Sequence, residues 1–213
     1  MILLSKILFF TSHHGFYTFI LLFLFFGLLS YVTKKALFLI PIIPLAVLNG
    51  FCGQFLNAWF LNTYGVESTA IITSDIETNS TLNESYIHDY EAIVKKQDGK
   101  YTTTFFSTTT ASIYPIRNSI RIPSQKDLPV KYIPGYEKNI VILYDQSTEG
   151  KILLEYEKLA PVNSAKTKYE AYKTNKEFIE EYIAALEEYV KEYDNETYKE
   201  KIKELKHELK QLK

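Results

Sequence analysis

From residue 15 to residue 62 the chain is almost unbroken apolar sequence, interrupted only by Thr33-Lys34-Lys35. A bilayer core is crossed by roughly 20 apolar residues of helix. Residues 15–32 and 36–62 each meet that need, and two adjacent ammonium groups are too costly to bury in hydrocarbon. The pattern predicts a transmembrane helical hairpin over 15–62 that reverses at Lys34-Lys35. A cleaved signal has an apolar core of roughly 7–15 residues and then small residues. Here the core is longer, its exit reads Tyr31-Val32-Thr33-Lys34-Lys35, and a second apolar span follows at once, so both helices are expected to stay. Residues 1–14, apolar around Lys6, are expected to extend the first span or lie along the membrane surface.

Charge is distributed unevenly along the chain. Residues 1–63 hold three Lys and no acid, 64–162 hold ten basic and thirteen acidic side chains, and the remainder holds eleven and twelve. No basic patch stands out, which argues against a nucleic-acid partner. The only cysteine, Cys52, lies in the second span, so no disulfide framework is available. Short loops rich in Lys stay in the cytoplasm. Lys34 and Lys35 lie between the spans, only Lys6 precedes them, and no basic residue follows the second span until Lys95. The expectation is a multi-pass protein of the cytoplasmic (inner) membrane, with its N-terminus and everything after Tyr64 on the outer side. Trp59 and Tyr64 fall where amphipathic rings favour the outer interface.

The second span is the less lipid-like one. Pro41 and Pro44 remove backbone donors and are expected to bend its first half. Asn49, Gly53 and Asn57 are spaced by four and share a helical face, with Gly50 and Gln54 beside them. Small and amide residues in a membrane helix pack against another helix. The expected contact is the first span or a neighbouring copy, and no ionisable residue joins the stripe to make it a polar conduit.

Beyond Tyr64 the periodicity becomes alternating and β-branched and aromatic residues dominate. Strands are expected over 69–75, 87–96, 100–109, 128–133 and 139–144, with a polar loop over 76–85. Gln97-Asp98-Gly99 and Pro134-Gly135-Tyr136 mark turns, the first read as a primed hairpin turn because Asp-Gly accepts positive φ. Strands this short and this closely spaced suggest a small antiparallel barrel or sandwich over residues 64–160. The elements follow in a particular order: Gly65, then Thr69-Ala70-Ile71-Ile72, a Tyr-rich strand, an Asp-Gly turn, and Leu128-Pro129-Val130-Lys131-Tyr132-Ile133-Pro134 before Ile140-Val141-Ile142. Over residues 64–145 this resembles a widespread bacterial family, domain of unknown function 3592, whose members carry a small β-domain tied to one or more membrane helices. Its most telling element, a Val-x-Tyr-hydrophobic-Pro strand end, is matched by Val130, Tyr132, Ile133 and Pro134. Members usually carry a Gly shortly before that strand, where this chain has Gln125-Lys126-Asp127-Leu128. The resemblance implies a membrane-bound β-module and brings no catalytic residues with it.

From residue 163 to 213 the composition turns to Lys, Glu, Ala, Leu and Tyr with helical spacing. Ile179, Tyr182, Leu186, Tyr189 and Tyr193 form one apolar stripe, and Tyr198, Ile202, Leu205, Leu209 and Leu212 form another, out of phase with it. The break at Asp194-Asn195-Glu196-Thr197 either starts a second helix capped by Asp194 or Asn195, or is a stutter in one helix. These stripes serve a helical hairpin, self-association or binding of another protein, since tyrosine supplies contact area with a polar tip.

No catalytic constellation emerges. His13 and His14 diverge on a helix and cannot chelate one metal as i, i+4 histidines do, and His88 and His207 read as solvated or packed. Asp75, Glu77 and Glu84 lie near the polar loop without the spacing of a calcium loop. Phosphate loops, zinc motifs and nucleophile elbows are missing, so neither cofactor nor metal is expected. The sequence predicts a membrane-anchored α+β protein: a two-helix hairpin in the lipid bilayer, a small β-domain, and C-terminal amphipathic helices. The expected function is a non-catalytic interaction module of the bacterial cell envelope, with a second copy or an envelope protein as partner. The alternative is an accessory subunit of a membrane transporter or channel.

Overall fold

Acid-free and apolar, the first 64 residues fold into three helices: α1 (Ile2–His13), α2 (Gly15–Thr33) and α3 (Ile42–Tyr64). The computed structural model describes residues 1–117, 122 and 127–212; Gln125 and Lys126 lie outside them. α2 is apolar on every side and buries only Thr18. It stops where Lys34 turns left-handed, at φ 54°. A short 3-10 turn, Ala36–Leu39, leads into α3. Pro41 is the N-cap of α3 and Pro44 sits in its first turn, where backbone N–H groups have no helical acceptor. The prolines therefore start the helix rather than bend it. α2 and the segment Ala36–Tyr64 are long and apolar enough to cross a membrane. Residues 1–14 form a separate helix, because the chain bends at His14 (φ −127°, ψ 58°).

Six strands follow: β1 (Val66–Leu82), β2 (Ser85–Lys95), β3 (Tyr101–Ser107), β4 (Ile113–Tyr114), β5 (Leu128–Ile133) and β6 (Tyr136–Leu143). They form one open sheet in the order β3-β2-β1-β5-β6-β4. It is mixed rather than purely antiparallel, since β4 lies parallel to β6 with Ile113 opposite Ile142. The polar stretch 76–85 is not a loop. β1 and β2 continue as a paired ribbon to Asn83-Glu84, whose φ values of 50° and 66° make a two-residue primed turn between Leu82 and Ser85. Backbone pairing and β-branched Thr78 and Thr81 suffice there without a buried face. At Gln97-Asp98-Gly99 only Gly99 has positive φ, 79°. Gly99 N donates to Lys96 O and Lys96 N to Lys100 O, so the connection is a three-residue loop ending in a left-handed glycine, not a primed turn.

β6 decides how the helices and the sheet meet. Its residues from Asn139 to Leu143 are buried without alternation. Ile140 and Ile142 join Ala92, Val94, Leu128, Val130 and Tyr132 in the core of the sheet. Val141 and Leu143 point the other way, into a cluster with Leu8 of α1 and Ala58, Phe60 and Leu61 of α3. A strand covered on both faces reads as a continuous apolar run.

The chain divides into two compact units, Met1–Thr148 and Glu149–Lys213. The second unit consists of α4 (Thr148–Ala171), α5 (Lys176–Glu192) and α6 (Glu196–Gln211). Helix thus begins well before residue 163, and the β-domain ends before residue 160: α4 carries Pro161 inside it, a residue that removes one backbone donor without ending this helix. α5 and α6 are separate helices. Asn195 is the cap that divides them, its Oδ1 accepting from Tyr198 N at 3.1 Å.

Candidate functional site

The polar stripe of α3 is spent inside the chain. Asn49 Nδ2 donates to Thr11 O of α1 at 2.9 Å, and a Cβ on Gly53 would crowd the Asn49 side chain, 3.1 Å from its Oδ1. Within the chain Asn49 packs on α1 rather than on the first span, because α1 lies against the half of α3 nearer the sheet. Gly50 is exposed and Gln54 half-buried at the margin.

One turn further, Asn57 reaches β6. Asn57 is 0% exposed, Asn139 1%, Ser5 0% and Ser112 5%. The two amides pair reciprocally: Asn57 Nδ2 donates to Asn139 Oδ1 at 2.8 Å and Asn139 Nδ2 to Asn57 Oδ1 at 2.9 Å. The second hydrogen of Asn57 goes to Ser112 Oγ at 2.8 Å. That of Asn139 is shared by Ser5 O and Ser5 Oγ, both at 3.0 Å. Every amide donor is used, which is what burial demands. Four side chains from α1, α3, β6 and the segment before β4 thus form one buried joint. Ser5, Ser112 and Asn139 escaped the sequence reading. Their one legible signal was a polar residue, Asn139, at the head of an apolar strand.

The corner between α3 and β1 is equally constrained. A Cβ on Gly65 would stand 2.4 Å from Leu61 O and 3.0 Å from Lys131 Cβ, so only glycine fits. Lys131 Nζ donates to Asn62 O at 3.2 Å, giving the helix C-terminus a cation.

The predicted interaction residues of the second unit are largely core. Ile179, Tyr182, Leu186, Tyr189, Ile202 and Leu205 are buried together with Val162, Ala165 and Tyr169 of α4, while Tyr193 and Leu209 pack against them half-buried. Tyr189 donates to Glu155 Oε1 at 3.0 Å and Tyr169 to Glu208 Oε2 at 2.9 Å. Burial and the neighbouring Glu155 carboxylate push the Tyr189 phenol up to about 12. The stripes face inward because α4 supplies the third apolar face, through Val162, Ala165 and Tyr169.

Titratable side chains elsewhere are dispersed. His88 on β2 sits across from β1, its Nδ1 2.6 Å from Asp75 Oδ1 and its Nε2 3.8 Å from Glu77 Oε2, and it stacks on Tyr90. Glu84 is remote from both, at the tip of the ribbon. His13 stacks on Phe9 at 4.0 Å, while His14 is exposed at the bend. Among the described residues no group of three or more His, Cys, Asp or Glu side chains is arranged to hold a metal ion. No protein-family model, curated protein or solved structure matches the chain.

Proposed function

We propose that this chain is a membrane-anchored, non-catalytic interaction module of a bacterial cell envelope, in which a helical hairpin holds the sheet against the outer surface of the inner membrane. The observation that carries the reading is the buried, mutually hydrogen-bonded joint of Ser5, Asn57, Ser112 and Asn139. It fastens the start of α1 and the end of α3 to the same strand, so chain leaves the sheet and returns to it. Between those ends lies α2, whose apolar side chains are exposed all round, far more apolar surface than a water-soluble monomer presents. The turn at Lys34-Lys35 then falls on the far side, and lysines favour the cytoplasm. Trp59 and Tyr64, half exposed and edge-to-face at 6.3 Å, suit an outer interfacial belt.

The resemblance to domain of unknown function 3592 agrees with this reading. This chain departs from that family in lacking a glycine shortly before β5, where Asp127 takes φ 59°. The accessory-subunit alternative drew on a free Asn49-Gly53-Asn57 face, and that face is covered by α1 and β6. The interaction surface is instead the exposed side of β3, an edge strand that presents Tyr101 and Phe105. Photo-crosslinking residues at positions 101 and 105, irradiated in native membranes, should give adducts with a second copy or an envelope protein. A chain that stays monomeric with no crosslinked neighbour at either position would sink the reading.

A further inference from the structure

α1 and α2 diverge from the bend at His14 and leave a groove of about 430 Å³ between them. It is lined by Lys6, Ile7 and Phe10 of α1 and by Leu21, Leu22 and Phe25 of α2, with Thr11 and Thr18 near the bend. Both threonine hydroxyls are already spent on backbone, Thr11 on Leu8 O at 3.2 Å and Thr18 on His14 O at 2.9 Å. The groove therefore offers hydrocarbon along its length and a single polar function, the Lys6 ammonium. That ammonium lies 5.6 Å from the centre of the Tyr136 ring on β6 and has no carboxylate within ion-pair distance among the described residues. No acid occurs anywhere in residues 1–63 to supply one.

We infer that this groove binds one anionic diacyl phospholipid, an acyl chain lying along Phe10, Leu22 and Phe25 and the phosphate meeting Lys6. The inference rests on the membrane reading above. Charge complementarity commits the occupant: an apolar channel with one uncompensated cation at its sheet-side end fits a chain with an anionic head. A polar solute would find no partner along the walls. A helix from a second copy would leave the ammonium unpaired unless it brought an acid, and the apolar helices of this chain have none. The volume falls within the ~300–1,000 Å³ of ordinary ligand clefts.

The test uses the full chain in nanodiscs and in mild detergent, with phosphatidylglycerol and phosphatidylcholine of identical acyl chains as competing probes and native mass spectrometry as readout. The expected result is a one-lipid adduct that prefers the anionic lipid roughly five-fold, the effect of one basic residue at an anionic surface. Lys6→Gln, an exposed substitution that leaves the fold intact, should abolish the preference but keep the adduct. Leu22→Trp, which fills the groove, should remove adducts of both lipids while the thermal melt of the sheet is unchanged. Equal binding of the two lipids, a preference that survives Lys6→Gln, or adducts only with a second copy of the chain would each overturn the inference. Washing vesicles at alkaline pH separates the two levels: release of the chain defeats the membrane reading, whereas retention without lipid preference defeats the lipid site alone.

Discussion

Asn57 and Asn139 illustrate what a buried amide pair does to tolerance of change. Asn57→Leu leaves the amide of Asn139 and the hydroxyl of Ser112 facing an apolar side chain, at a cost of about 1–3 kcal/mol for each group left unpaired. The double substitution Asn57→Leu with Asn139→Leu removes both members and should recover part of that loss. Thermal unfolding in detergent of the two single variants and the double one checks the coupling, and strictly additive losses would contradict it. Gly65→Ala is the other sharp residue-scale case, because the obstructing atom is the Leu61 carbonyl of the backbone itself, and overpacking of this kind costs about 1–3 kcal/mol. Asn57 was visible in the sequence through its i, i+4 relation to Asn49 and Gly53. Its partners were not, since Ser112 and Asn139 lie 55 and 82 positions away and no local rule links them.

Among the elements, the amphipathic stripes of α5 and α6 were legible because each carries its own 3.6-residue rhythm, while their separation at Asn195 is a finding of the structure. Leu186, fully buried between the helices, should cost about 2–5 kcal/mol on truncation to Ala, and Asn195→Ala about 1 kcal/mol, both read by chemical denaturation of the chain. Alkali acts on the same core. Tyr189 titrates near 12 when folded and near the ordinary 10 when unfolded, so the unfolded chain releases its proton first. Its contribution to stability is complete below about pH 10 and is lost as pH rises toward 12. Absorbance of tyrosinate should show a late-ionising component near pH 12 that is missing in Tyr189→Phe. α4 and the outer half of the β1–β2 ribbon were misread for opposite reasons. The helical composition sets in only at residue 163, after the first half of α4 has already formed, and a Thr- and Asn-rich strand resembles a loop when it has no face to bury.

For the whole molecule the decisive experiment is sidedness. In a Cys52→Ser background, Asp98→Cys in the β2–β3 loop should react with an impermeant maleimide in intact cells, and Lys35→Cys only after lysis. The reverse pattern would turn the molecule over. Cys52 itself, exposed on α3 at the depth of Gly53, should resist the same reagent until detergent is added.

What the sequence determined alone is whatever repeats along the chain: the two apolar lengths, the edges of β5, and the amphipathic stripes of α5 and α6. Periodicity and charge act over a few residues and need no knowledge of neighbours. Tertiary structure alone decided that α1 rather than α2 covers the amide face of α3, that β6 is buried on both sides, and that the helical stripes close on α4. These are choices between partners distant in sequence, made by which polar groups find a mate once water is excluded.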